Sequence, residues 1–284
     1  MEPFQHSLAG DGPSLFMLRS WMEDAAGITA GITGREGGVS SEPWTSLNCG
    51  LHVGDSPEAV IRNRKRIAEA LGWPFEAWTS GEQVHSDAVF RVERVDRGRG
   101  RADRDSAIPD TDAVMTNVPD ILLTSFYADC VPLFFHDPEH GAVALAHAGW
   151  KGTVLEIGRK TVEQMTDAYG SDPTRLRGAI GPSIGSCCYE VDEPVIARVE
   201  PLVQALCETS GAEPSTMMEP AGSGKAMLNL KEINRQIMIK AGILPTNIEL
   251  TTRCTGCRHD AFFSHRLEQG RTGRMASFIG IKSR

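Results

Sequence analysis

The stretch ILLTSFYADCVPLFFHDPEHGAVALAHAGWKGT, residues 121–153, decides the fold of this chain. It contains three short apolar runs, at residues 121–127, 131–135 and 142–146. Turn residues such as Asp137, Pro138 and Gly141 separate the later two runs, and short apolar runs bounded in this way predict β-strands. Because neighbouring positions in each run are apolar, both faces of these strands are predicted to be covered.

Strand and helix signals continue on both sides of this centre. Ser56, Pro57 and Glu58 are typical of a helix start, and Gly72 of its end. Further strands are predicted at 113–115, 176–180, 248–252 and 275–281, and further helices at 153–168, 193–206 and 230–240. Consecutive strands and irregular alternation favour a mixed-sheet α+β architecture over a doubly wound one. With no linker, low-complexity run or repeat, residues 1–284 are predicted to form a single catalytic domain.

Composition excludes several functional classes. The 284 residues carry a net charge of −8, and the basic stretch at 91–104 is interrupted by acids, which argues against nucleic-acid binding. The chain start does not resemble a signal peptide, and the apolar stretch at 121–135 is too short to span a bilayer. Seven scattered cysteines, an odd number, suit reduced thiols. We therefore expect a cytoplasmic protein without a membrane or nucleic-acid partner.

Three segments combine soft metal ligands with polar turns: EQVHS (82–86), ADCVP (128–132) and HAGWKG (147–152). Cys130 is predicted to lie between two strands and His147 at a strand end, where side chains from several strands meet in one crevice. With His85, they form a ligand set that suits Zn²⁺ and leaves one coordination position open, as in catalytic sites. Their spacing matches no short zinc signature, and by itself it favours two core histidines and a buried free cysteine.

Longer blocks change that balance, because they resemble successive blocks of the bacterial YfiH/YlmD family, to which human FAMIN also belongs. The blocks, in matching order, are QVHSDAV, TSFYADCVPL, ALAHAGWKGT, GPSIGSCCYEV and FFSHRLEQGRTGRMASFIG. The resemblance extends over about residues 30–282.

The resemblance implies a zinc held by His85, Cys130 and His147, and mixed sheets packed together with helices outside, similar to the catalytic domain of a bacterial deamidase toxin. It also implies phosphorolysis of adenosine, inosine, guanosine and methylthioadenosine, with hydrolytic deamination of adenosine. Purine nucleosides and phosphate would then be the small-molecule partners. Family names preserve two other proposals, a copper-dependent laccase and a hydrolase that edits peptidoglycan precursors.

Phosphorolysis requires an anion site beside the ribose. Lys151 follows His147 closely at a predicted helix start, where backbone N–H groups also favour anions, although an exposed lysine is an equal alternative. The other candidate substrate contacts are Arg266 and Arg35 for anions, and Asn48 and Gln83 for ribose or base. Each of these also has an ordinary alternative, as a surface arginine or a turn-capping amide.

Acidic residues flank the candidate ligands. Asp129 adjoins Cys130 and is predicted to orient a ligand imidazole or to relay protons, with a turn or cap as the alternative. Asp110 and Asp112 are predicted to fix a loop before a strand.

The remaining cysteines offer a weaker metal signal. Cys254-x2-Cys257, followed by His259 and His265, has ligand-like spacing, but no second C-x2-C accompanies it. We interpret this segment as structural. Cys187-Cys188 follow a glycine-containing turn and are expected to be reduced, because vicinal disulfides are strained.

Three competing functions remain open. Eight histidines are too few for the mononuclear and trinuclear sites of a multicopper oxidase, although copper could bind the same three ligands. A cysteine hydrolase would use Cys130 as nucleophile and His147 as base. A non-enzymatic purine-binding module would bind without turnover. The sequence leaves a monomer and a small homo-oligomer equally open.

Overall fold

The computed structural model describes residues 2–7, 10–25 and 27–283. The strands are β1 (Phe4–Ser7), β2 (Leu15–Leu18), β3 (Ile28–Thr33), β4 (Trp78–Ser80), β5 (Val89–Arg91), β6 (Ala113–Thr116), β7 (Leu122–Tyr127), β8 (Val131–Asp137), β9 (Ala142–Ala148), β10 (Arg177–Ile180), β11 (Glu190–Val191), β12 (Met218–Gly222), β13 (Lys225–Leu228), β14 (Ile248–Leu250) and β15 (Met275–Ile281). The helices are α1 (Arg19–Asp24), α2 (Pro57–Ala70), α3 (Trp150–Val154), α4 (Ile157–Tyr169), α5 (Glu193–Ser210) and α6 (Leu230–Lys240).

Two large mixed sheets form the centre of the molecule. The first has the order β1-β2-β3-β15-β7-β4, and the second has the order β14-β10-β8-β9-β6-β5. Most neighbours are antiparallel, while the pairs β4–β7, β10–β14 and β5–β6 are parallel. A small third sheet, β11-β13-β12, is antiparallel. These mixed sheets with helices outside confirm the predicted α+β class.

The two large sheets pack face to face over a buried cluster that includes Phe16 and Tyr127 from the first and Phe134 and Leu145 from the second. Side chains on a strand point alternately to its two faces. On β9, Val143 and Leu145 belong to this cluster, so His147, two residues further, faces the same side.

The opposite face of β9 consists of alanines. Ala142, Ala144, Ala146 and Ala148 join a second cluster with residues of α4 and α6. Their small side chains let the helices approach the sheet closely. On the far side, Leu122 and Phe278 of the first sheet pack with Ile67 of α2. Helix, sheet, sheet and helices therefore form four layers.

The strands predicted in the central stretch are confirmed as β7, β8 and β9, and the prediction for β15 matches its observed bounds. The start of α2 also agrees, because the Ser56 hydroxyl accepts the N–H of Ala59 at 3.3 Å. In contrast, β1 to β3 and the third sheet were not predicted. In β12, Pro220 and Gly222 and a largely exposed surface remove the alternating pattern that marks a strand.

The prediction of one helix at 153–168 was wrong. Two helices occupy this segment: α3 begins at Trp150 and ends at Val154, and α4 begins at Ile157. Glu156 between them adopts a left-handed conformation with φ 54°, and its carboxylate pairs with Arg159 and Lys240. The break changes the chain direction, so that α3 contacts α5 while α4 lies on β9.

Two further features concern membrane-spanning helices and the state of the cysteines. No helix within residues 2–7, 10–25 and 27–283 combines the length and apolar character needed to cross a membrane. All seven cysteines are free thiols in the structure.

We expect Phe134→Ala to destabilise the fold strongly. Phe134 is fully buried between the sheets, with its ring centroid 5.5 Å from that of Phe4. Truncating a buried Phe costs about 3–5 kcal/mol in the free energy of unfolding. Val95→Ala is the control, because Val95 is 89% exposed. Urea unfolding monitored by circular dichroism measures both, and a loss below about 1 kcal/mol for Phe134→Ala would contradict the face-to-face packing.

Candidate metal centre

The three predicted ligands meet at one end of the space between the sheets. His147 is near the end of β9, Cys130 lies in the short connection by which the chain passes from β7 in the first sheet to β8 in the second, and His85 lies in the loop between β4 and β5. One ligand atom from each lies within 4.8 Å of the others. The two imidazoles meet edge to face, with centroids 4.9 Å apart. His147 is buried, Cys130 is half-buried and His85 is exposed, so the cluster opens on one side.

The local backbone is adapted to bring these side chains together. His85 and Asp129 have positive φ angles of 62° and 84°, a conformation that non-glycine residues adopt mainly where surrounding contacts enforce it. Gly149 gives the necessary space. A Cβ atom there would lie 3.0 Å from Cys130 Sγ and 3.2 Å from His85 Cδ2, so a side chain at 149 would crowd both candidate ligands.

Asp112 holds two of the three candidate ligands in position. Its Oδ1 accepts a hydrogen bond from His147 Nδ1 at 2.8 Å and another from the backbone N–H of His85 at 3.0 Å. Its Oδ2 accepts the backbone N–H groups of Val84 and Ser86. With Nδ1 bonded, His147 presents Nε2 to the cluster. The loop-fixing role predicted for Asp112 is present, but its contact with His147 was not predicted.

The prediction that Asp129 orients a ligand imidazole was wrong, because Asp112 does so. The Asp129 carboxylate accepts hydrogen bonds from Thr255 Oγ1 at 2.6 Å, from Ser264 Oγ at 3.1 Å and from the backbone N–H of Arg266 at 2.7 Å. It therefore ties the β7–β8 connection that carries Cys130 to two later loops, and a proton-relay role stays a prediction.

Electrostatics favour a charged pair at the cluster when no metal is bound. Burial raises the pKa of Cys130, but His147 and His85 outweigh it and lower the pKa to about 6. Burial lowers the pKa of His147, but Cys130 and Asp112 outweigh it and raise the pKa to about 9. Near neutral pH, the pair is thus a thiolate beside an imidazolium, and the thiolate is the form that binds metal.

The cluster forms part of the wall of a cavity of about 490 Å³. The cavity also has cationic walls (Lys151, Arg266 and Arg274), aromatic walls (Phe126, Trp150 and Tyr189) and further histidines (His52 and His265). The sequence did not predict that Arg274, Tyr189, His52 and His265 line this cavity. A strand at 275–281 preceded by arginine was visible in the sequence, but nothing there indicated that Arg274 faces the cavity.

Two predicted substrate contacts lie elsewhere. Arg35 does not line the cavity; its guanidinium donates to the His259 carbonyl at 2.7 Å, pairs with Glu268 and stacks on Phe263. Asn48 is fully buried and bonds Asp55 and the backbone N–H of Arg274, so no substrate can reach it. Both predictions were wrong, because contacts with other loops engage the polar groups of both side chains.

The other three predicted contacts line the cavity. Gln83 does so with its amide engaged, since Nε2 donates to the Phe126 carbonyl and Oε1 accepts the Phe126 N–H. Arg266 lies over the Tyr189 ring at 5.0 Å and donates to the Glu190 carbonyl. Lys151 Nζ lies 5.7 Å from the Trp150 ring centroid. Because α3 is only five residues long, Lys151 offers its side chain rather than a helix terminus for anion binding.

The chain is similar to known proteins over nearly its whole length. A family model described as multi-copper polyphenol oxidoreductase laccase matches residues 29–282. Purine nucleoside phosphorylase YlmD of Bacillus subtilis is 39% identical over 280 residues, covering 98% of both chains. YlmD of Geobacillus stearothermophilus, also named a purine nucleoside phosphorylase, is 40% identical over 274 residues, covering 94% of this chain and 97% of its own. Its crystal structure superposes with a TM-score of 0.91 at 38% identity and full coverage of both chains.

Asp112→Asn is expected to weaken metal binding by about 10–100-fold, because the amide cannot accept all the hydrogen bonds that the carboxylate accepts. Isothermal titration of metal-free protein with Zn²⁺ measures the change. Asp110→Asn is the matched control, since Asp110 is exposed and asparagine tolerates its left-handed backbone. Equal affinities for the two variants would refute the role of Asp112.

In metal-free protein, Cys130 is expected to react with iodoacetamide as pH rises through about 6, well below the usual thiol range. The thiolate is the reactive form, so its fraction grows above the pKa of Cys130 and falls below it. Alkylation at Cys130, followed by peptide mass spectrometry between pH 4.5 and 9, gives the midpoint. Cys207, which is half-buried on α5 and belongs to neither cysteine cluster, is the internal control. A Cys130 midpoint above 8 would contradict the thiolate–imidazolium pair.

Proposed function

The chain belongs to the YlmD/YfiH family, and from that premise we propose that it is a zinc-dependent purine nucleoside phosphorylase. Its substrates would be adenosine, inosine, guanosine and methylthioadenosine, with inorganic phosphate as the attacking anion. We propose adenosine deamination as a second activity of the same site. The first activity is supported by two relatives that are named purine nucleoside phosphorylases, whereas the deaminase activity rests on the family resemblance.

One observation carries the proposal: His85, Cys130 and His147 converge at the wall of a cavity that also presents cations and aromatic rings. A purine needs flat apolar walls, and Phe126 and Tyr189 supply them. Phosphate needs positive charge, which Lys151, Arg266 and Arg274 supply. A cavity of about 490 Å³ is in the range that holds a small-molecule ligand.

The donor set fits zinc. Tetrahedral bonds of about 2.0–2.3 Å place ligand atoms roughly 3.3–3.8 Å apart, and the three atoms here lie within 4.8 Å of one another before any metal draws them together. When bound, zinc supplies a Lewis acid with one open coordination position, which suits both orientation of phosphate or ribose hydroxyls and activation of water for deamination. Zn²⁺ bound by two neutral imidazoles and one thiolate carries a net charge of +1.

The residues of this chain would do the rest. Lys151 and Arg266 would hold phosphate beside C1′ of the ribose, so that the anion attacks as the bond to the purine breaks. Tyr189 and Phe126 would hold the base and exclude water from the ribose. Asp112 would keep His147 in the orientation described above. Asp129, with three hydrogen-bond donors around its carboxylate, would hold the β7–β8 connection that carries Cys130 in place.

A second candidate has its own support. Cys130, His147 and Asp112 are arranged as nucleophile, base and orienting carboxylate, the arrangement of a cysteine hydrolase that could cleave an amide in a peptidoglycan precursor. It requires that Cys130 stay free for attack. A copper-dependent oxidase has less support, since only two candidate metal clusters occur among residues 2–7, 10–25 and 27–283, and one of them has no histidine.

The proposal extends to the location, domain organisation and partners of the enzyme. We place the enzyme in the cytoplasm, where purine nucleosides and phosphate are available and thiols stay reduced. Residues 1–284 would act as one catalytic domain, because the cluster between the sheets draws on residues from Phe4 to Ile279. Its partners would be small molecules, and it would function as a monomer or a small homo-oligomer.

Incubation with adenosine, with and without phosphate, tests the proposal. Phosphorolysis predicts adenine and ribose 1-phosphate only when phosphate is present, and deamination predicts inosine under both conditions. Mass spectrometry identifies the products from protein purified without added metal. If protein shown to contain zinc forms neither product, the nucleoside proposal is refuted.

Ligand variants test the site, and zinc protection of Cys130 separates the metal enzyme from the cysteine hydrolase. Cys130→Ala, His85→Ala and His147→Ala should each lower turnover at least about 1,000-fold, equivalent to several kcal/mol of lost stabilisation. His259→Ala, an exposed histidine outside the cavity, should keep normal turnover. Zinc should protect Cys130 from iodoacetamide, and a chelator should remove activity reversibly. A covalent adduct that forms at the same rate with and without zinc would favour the hydrolase.

A further inference from the structure

A second group of metal-binding side chains lies outside the candidate centre. It consists of Cys187, Cys188, Cys254 and Cys257, whose sulfur atoms all lie within 4.8 Å of one another. In the sequence, Cys254-x2-Cys257 has no second C-x2-C to complete a four-cysteine site. In the folded chain the missing pair is the adjacent Cys187-Cys188. His259 and His265, the histidines that follow in sequence, are not part of the group.

We propose that these four cysteines form a second metal site, a closed tetrathiolate that binds Zn²⁺. Four thiolates without an open position are the ligand set of structural zinc. A tetrahedral ZnS₄ unit with bonds of about 2.3 Å places its sulfurs roughly 3.8 Å apart. Here Cys257 Sγ lies 3.4 Å from Cys187 Sγ and 3.5 Å from Cys188 Sγ.

The surroundings are built around the sulfurs. The backbone N–H of Gly185 donates to Cys254 Sγ at 3.1 Å, and that of Cys257 donates to the same atom at 3.5 Å. N–H groups directed at a sulfur stabilise a thiolate ligand. Space is equally specific, because a Cβ at Gly256 would lie 3.0 Å from Cys188 Sγ and 2.9 Å from its Cβ.

A compensating charge is also present. Four thiolates and Zn²⁺ carry a net charge of −2, which needs a nearby cation. Lys231 is largely buried, and its Nζ donates at 2.9 Å to the carbonyl of Arg253, the residue before Cys254. Lys231 forms no hydrogen bond to a carboxylate in the described chain, and the thiolate cluster would act as its counter-ion together with the nearby Glu2.

A disulfide accounts for less of this arrangement. A disulfide joins two sulfurs, whereas all four lie around a common point. All four are free in the structure. In a reducing compartment, four thiols within mutual reach bind zinc rather than oxidise.

The proposed zinc would join two loops that shape the cavity. Cys187 and Cys188 lie between Ile184 and Tyr189, both of which line the cavity. The Cys254–Cys257 loop contains Thr255, whose hydroxyl donates to Asp129, next to Cys130. The Ile184 N–H donates to the Asp129 carbonyl at 2.9 Å. The bound zinc would thus hold together the two loops that form the cavity wall next to the candidate ligands of the first centre.

Metal content per chain tests the proposal without reference to turnover. Protein purified under reducing conditions should contain two zinc ions by mass spectrometry of the metal. Cys130→Ala and Cys257→Ser should each contain one, and the double variant none. Cys207→Ser, a cysteine outside both clusters, is the matched control and should keep two. Cys187→Ser serves as a second variant if Cys257→Ser proves unstable, since both side chains are exposed.

Cobalt distinguishes the site from incidental zinc. In the Cys130→Ala background, Co²⁺ should give an intense thiolate-to-cobalt charge-transfer band with the tetrahedral d–d pattern, and adding Cys257→Ser should remove it. Three results would overturn the proposal: a second zinc that survives Cys257→Ser, no thiolate band with Co²⁺, or a Cys187–Cys257 disulfide in protein kept under reductant. Failure here leaves the proposed phosphorylase untouched, because that rests on the other three ligands.

Discussion

The carboxylate of Asp112 is the contact on which the candidate centre depends. It accepts one hydrogen bond from His147 and three from the backbone of residues 84–86, so a single side chain fixes an imidazole on a strand and the loop that carries another. A carboxylate with this many donors stays ionised, and its pKa is held below the usual value against the opposing effect of burial. The negative charge in turn favours the imidazolium of His147 in metal-free protein and a basic nitrogen when metal is bound.

The sheets make that contact possible. Ala113 pairs with Ala146 in the antiparallel β6–β9 ladder, so the residues just beyond, Asp112 and His147, meet at its end. Strand alternation directs His147 into the space between the sheets, while the alanines on the other face of β9 let α4 pack closely behind it. His147 itself is buried within β9. Of the three candidate ligands only His85, on the loop, is exposed, so the cluster is accessible from the side of that loop.

The sequence predicted the elements whose signals are local. Apolar runs, a capped start at Ser56 and a glycine end were sufficient for the central strands and for α2. Features that depend on distant partners could not be predicted. The left-handed break at Glu156 relies on Lys240, and the role of Asp112 relies on the β6–β9 register. Arg35 and Asn48 looked like loop ligands because their partners in the folded chain, Glu268 and Asp55, cannot be recognised from the sequence.

The same arrangement serves chemistries that the sequence left open, since a thiolate, an imidazole and a carboxylate suit both a zinc site and a cysteine nucleophile. What separates these functions is whether the Cys130 sulfur is bonded to metal. Diffraction at the zinc absorption edge, on crystals grown with phosphate, measures this most directly. The account predicts an anomalous peak at about 2.3 Å from Cys130 Sγ and about 2.0–2.1 Å from a ring nitrogen of His85 and of His147. Well-ordered side chains with no peak between them, in protein that retains turnover, would contradict it.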